Sequence, residues 1–126
     1  MKKIILFVSF FCLMSTVLLN AQSIDNTNWK SFFADPFYDT LIIHVHGDSS
    51  FVTNSRGEVL VRSNYTIEGD TFTISDYGTG EYVCPDTKGK YKITVTDDSL
   101  FFTLVDDSCE GRANSLDGRK WIRASK

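Results

Sequence analysis

From about residue 29 onward, apolar and polar positions alternate in short runs separated by glycine, aspartate, serine and asparagine. Val59 to Ile67 puts Val59, Val61, Tyr65 and Ile67 on one side and Arg62, Asn64 and Thr66 on the other. Period-two alternation of this kind predicts a half-buried strand. Thr71 to Asp76 repeats it with Phe72 and Ile74 inward, after the turn Glu68-Gly69-Asp70. Gly89 to Thr96 sets Tyr91, Ile93 and Val95 against Lys90, Lys92 and Thr94. Thr96 to Ser99 then turns the chain into Leu100 to Asp106, where Leu100, Phe102 and Leu104 share a face and Phe101 and Val105 take the other. Earlier strands are predicted over Trp29 to Phe33, Asp39 to His46 and Ser50 to Asn54, and a last one over Gly118 to Arg123.

Tight turns make consecutive strands antiparallel neighbours. About eight such strands predict an all-β, antiparallel up-and-down barrel, which removes exposed sheet edges. A seven- or eight-stranded sandwich fits the same alternation. Residues 76–88 form the longest irregular stretch and cross one barrel mouth. Cys109 to Asp117 reads as a connection with room for one helical turn, and no segment from Gln22 to Lys126 carries a helical period.

The chain opens with Lys2 and Lys3, a long apolar run, and Leu19-Asn20-Ala21. This pattern predicts a secretory signal peptide over 1–21 and a single domain over 22–126. The apolar run from Ile4 to Leu19 falls short of the roughly 20 residues that cross a bilayer. The product is expected to be secreted or periplasmic and not membrane-spanning after cleavage. Losing Lys2 and Lys3 takes the net charge from −3 to −5. An acidic chain with scattered lysines and arginines argues against a nucleic-acid partner. Cys84 and Cys109 remain after cleavage, and an even count in an exported chain predicts a disulfide.

Taken in order, these motifs resemble the small bacterial lipocalin-like proteins of the calycin type. The resemblance rests on Trp29, the hairpin around Tyr65 and Phe72, Cys84-Pro85, Gly89 with Tyr91, the run Asp106-Asp107 to Cys109, Gly111-Arg112, and Trp121 with Arg123. It implies an eight-stranded barrel around a small hydrophobic ligand, without catalysis or cofactor. By the same analogy Arg112 or Arg123 covers Trp29, with Trp121 as a structural partner. The sequence departs from the pattern in carrying Thr27 and Asn28 before Trp29, where larger lipocalins place a glycine two residues before the tryptophan.

Phe33, Tyr65, Phe72, Tyr91 and Phe102 are the candidate ligand-lining residues; alternatively they fill the barrel, leaving a structural or protein-interaction envelope module. His44 and His46, two apart on a strand, share a side. They are the candidates for a metal-dependent or isomerase-type alternative, but Leu41, Ile43 and Val45 are the better inward set.

Overall fold

The computed structural model describes residues 23–125. The expected signal peptide lies outside the described residues. Eight strands follow one another: β1 Thr27–Phe33, β2 Asp39–His46, β3 Ser49–Thr53, β4 Val59–Glu68, β5 Thr71–Tyr77, β6 Lys88–Val95, β7 Ser99–Asp106 and β8 Lys120–Ala124. Each pairs antiparallel with the next, and β1 pairs with β8, so the sheet closes into a barrel. The up-and-down barrel expected from the turns is present, with the predicted disulfide between Cys84 and Cys109.

Three hairpin turns share one end of the barrel. Gly47 and Gly69 take φ of 60° and 62° in two of them, a backbone region glycine enters without steric cost. The longer connections 34–38, 54–58, 78–87 and 107–119 gather at the opposite end. That end is covered by a seven-residue helix, α1 Glu110–Leu116, about two turns where one was expected. Only Ala113 and Leu116 of the helix are buried, so the segment offers too few apolar positions to display a period. The disulfide joins the loop 78–87 to Cys109, the residue that precedes the helix.

The core is the inward face of the strands: Trp29, Phe33, Leu41, Ile43, Val45, Tyr65, Phe72, Ile74, Tyr91, Ile93, Leu100, Phe102 and Trp121. Two residues of the expected inward set are exposed, and only Val59 faces outward. Val59 is 41% exposed and Leu104 38%. Leu104 pairs with the inward Tyr91 and is exposed because the β7–β8 pairing ends at Phe101, whereas Val59 pairs with Thr53 beyond a register shift opposite β4. A bulge inserts one residue and turns the following side chains to the other face.

At the hairpin end, Trp29 is fully buried and its indole N–H donates to Thr27 Oγ1 at 2.7 Å. The Arg123 guanidinium lies 4.7 Å from the Trp29 ring centre. Of the two arginines considered for that place, Arg123 occupies it because β1 and β8 pair in register at Trp29 and Arg123. Ile24, just before β1, is 2% exposed and packs into the same end.

Candidate functional site: the barrel cavity and its helix end

The barrel encloses a cavity of about 560 Å³. Its lining runs from Ile24 at the hairpin end to Phe37, Glu81, Tyr82 and Val83 at the helix end. Phe37 and Tyr82 are 36% and 43% exposed, which makes the helix end the mouth. The walls are aliphatic and aromatic: Leu41, Ile43 and Val45 from β2, Val52 from β3, Leu60 and Val61 from β4, and Ile74 from β5.

Four of the five candidate ligand-lining residues, Phe33, Tyr65, Phe72 and Phe102, line this space. Their rings fall into two groups, Tyr65 with Phe72 and Phe102, and Phe33 with Trp121 and Phe37. Tyr65 stacks on Phe72 with ring centres 5.3 Å apart, and Phe72 meets Phe102 edge-on at 5.3 Å. Phe33 packs on Trp121 at 5.7 Å and on Phe37 at 6.2 Å. Phe37 in turn meets Tyr82 at 5.5 Å, so two loops touch across the mouth through aromatic rings. The Tyr65 hydroxyl donates to the Gly47 carbonyl. Burial, with Asp25 and Asp48 nearby, keeps this phenol protonated above its ordinary range.

Tyr91, the fifth candidate, is fully buried and lies apart from the cavity lining. Its edge meets Phe102 at 6.0 Å and its hydroxyl donates to Asp107 Oδ2. Burial and the adjacent Asp107 carboxylate raise its pKa strongly. Tyr91 therefore belongs to an ionic cluster beneath the helix. In that cluster Arg112 Nε and Nη2 donate to the two oxygens of Asp107 at 2.7 and 2.8 Å. Nη2 also donates to the Thr87 carbonyl at 2.8 Å, and Nη1 lies 3.2 Å from Asp76 Oδ1. Asp76 accepts from Ser63 Oγ at 2.8 Å and from the Cys84 N–H at 3.0 Å. The Asp76, Asp107 and Arg112 side chains are 2%, 0% and 7% exposed.

Burial alone raises the Asp107 carboxyl, but hydrogen bonds from Arg112, Tyr91 and the Cys109 N–H outweigh it and hold it below its ordinary range. Burial likewise works against the Arg112 cation, and the two carboxylates more than restore it. Gly89 makes the cluster possible: a Cβ there would stand 2.3 Å from Asp107 Oδ2 and 3.0 Å from the Tyr91 ring.

Sequence reasoning missed Asp76, Phe37 and Tyr82. Asp76 had a readable signal, since it shares the inward parity of Phe72 and Ile74 and a charge at such a position needs a buried partner. Phe37 and Tyr82 sit in aperiodic loops and had none.

His44 and His46 lie on the outer face of β2, as the alternation indicated. His44 stacks on Phe51 with ring centres 4.5 Å apart; its Nδ1 meets Asn28 Oδ1 at 3.0 Å and its Nε2 meets Thr53 Oγ1 at 2.8 Å. Burial and then His46 lower its pKa and favour the neutral ring. A metal here would have to displace both hydrogen bonds.

The chain matches no protein-family model, no curated protein and no solved structure.

Proposed function

We propose that the chain is an exported, non-catalytic lipocalin-like barrel that binds or sequesters a small, mostly apolar ligand. The observation that carries this reading is the cavity: about 560 Å³, walled by apolar side chains and open at one end. Volumes of roughly 300–1,000 Å³ with a few placed polar groups are those of small-molecule sites. The buried carboxylates at its rim, Asp76 and Asp107, are ion-paired to Arg112, which supports binding rather than proton transfer. The disulfide fits an oxidising compartment and so supports export.

The test is uptake of a neutral solvatochromic dye, Nile red, by the oxidised protein. The expected result is saturable binding with a blue-shifted emission, abolished in Val61→Trp, which fills the space, while the unfolding free energy from urea titration stays within about 1 kcal/mol of wild type. Overpacking a solid core costs about 1–3 kcal/mol. An unmoved dye, with Val61→Trp destabilised by that amount, would leave the barrel filled and the reading wrong.

A further inference from the structure

We propose that the ligand is an uncharged apolar molecule carrying a carbonyl-type hydrogen-bond acceptor, held at the helix end by the donors of Arg112 and Trp121. The inference rests on the ligand-binding reading above and names the chemistry that site selects.

Two buried side-chain polar atoms among the described residues lack a hydrogen-bond partner: Arg112 Nη1 and Trp121 Nε1. Both residues line the cavity. A guanidinium and an indole N–H only donate, so what both lack is an acceptor. A buried donor left unpaired is costly and calls for an explanation. Arg112 has spent its other nitrogens on Asp107 and on the Thr87 carbonyl. Its Nη1 is ion-paired with Asp76 Oδ1 at 3.2 Å but makes no aligned hydrogen bond, and that oxygen already accepts from Ser63. An unpaired indole is not the general condition of this chain, since Trp29 Nε1 is satisfied by Thr27.

Charge then narrows the acceptor. Asp76 and Asp107 face one guanidinium, so the cluster carries an excess negative charge. Glu81 at the mouth adds to it. A carboxylate head would meet the donors it needs but enter an already negative, poorly solvated field. A cationic head would suit the field but leave both donors unpaired. A ketone, aldehyde, ester or amide oxygen satisfies both conditions.

The experiment holds the tail constant and varies the head: 2-dodecanone, dodecanoate and dodecylammonium compete against Nile red for the oxidised full chain at neutral pH. One aligned hydrogen bond is worth about tenfold. The ketone is therefore expected to compete about tenfold better than either charged probe. Bound ketone should also show a red-shifted carbonyl stretch. Trp121→Phe, which keeps the ring and removes the N–H, should weaken the ketone severalfold and partly reverse that shift. Equal competition by all three heads, or a preference for either charged head, overturns this inference while ligand binding stands. Failure of Nile red itself to enter overturns both.

Discussion

The Arg112 cluster makes a prediction whose sign depends on background. Asp107→Asn keeps the shape of the side chain but offers Arg112 one oxygen instead of two. It loses at least one of two charge-assisted bonds, at 2.7 and 2.8 Å, each worth about 1.5–3 kcal/mol. The expected destabilisation is about 2–3 kcal/mol. Arg112→Met leaves the carboxylates of Asp76 and Asp107 buried without their cation, and breaking a buried pair costs about 3–5 kcal/mol. On the Arg112→Met background, Asp107→Asn removes one of those two unpaired carboxylates, so it should be neutral or stabilising.

The assay is urea unfolding of the oxidised protein followed by emission of the buried Trp29 and Trp121. The pH dependence supplies a second reading. Asp107 is held below its ordinary range, so its contribution is present above the unfolded carboxylate pKa and is lost as pH falls through the lower folded value. Asp107→Asn should flatten that acid limb. A cost of Asp107→Asn that is the same on both backgrounds would refute the reasoning. It would place the role of Asp107 in its bonds to Tyr91 and the Cys109 N–H instead.

Three further outcomes are expected. Replacing Cys84 and Cys109 by serine together should cost about 3.5 kcal/mol in urea, the chain entropy of a loop spanning 25 residues; a loss under about 1 kcal/mol would contradict this. Gly89→Ala should destabilise by about 1–3 kcal/mol, because the added Cβ collides with Asp107 and Tyr91, and a variant as stable as wild type by calorimetry would show that the carboxylate yields freely. Arg123→Leu should cost about 0.5–2 kcal/mol and shift the emission of Trp29, with unchanged emission counting against the stacked guanidinium.

Much of the barrel was legible because its strands are half-buried and its turns short. The parity of Phe72 and Ile74, or of Tyr91 and Ile93, translates directly into burial. Val59 was misread because parity is counted along one strand, whereas a bulge is a property of two. Of the site, the aromatic wall followed from that same parity, all but Tyr91. Tyr91 is inward like the others, but an acceptor from the loop after β7 draws its hydroxyl away from the cavity. Asp76, Thr87, Asp107 and Arg112 come together in the ionic cluster from distant places in the chain, so Asp76 and Thr87 could not be joined to it from sequence. The choice of Arg123 over Arg112 for Trp29 also needed the register of the closing pair.

That closing pair has a kinetic consequence. Every other strand pairing joins neighbours in the chain, but β1 meets β8 across nearly the whole domain, at only three positions: Asn28 with Ala124, Trp29 with Arg123 and Lys30 with Ile122. Bringing such distant ends together costs about 3 kcal/mol more chain entropy than a tight hairpin. The seam should therefore form late, after the hairpins have zipped. Until then the ribbon has two bare edges, each able to pair with a second chain. Lys30 on one edge and Lys120 on the other place exposed charges there, the usual deterrent to such pairing. The molecule's most vulnerable moment is thus the interval before its ends meet, and crowding or slow release of residues 120–124 would lengthen it.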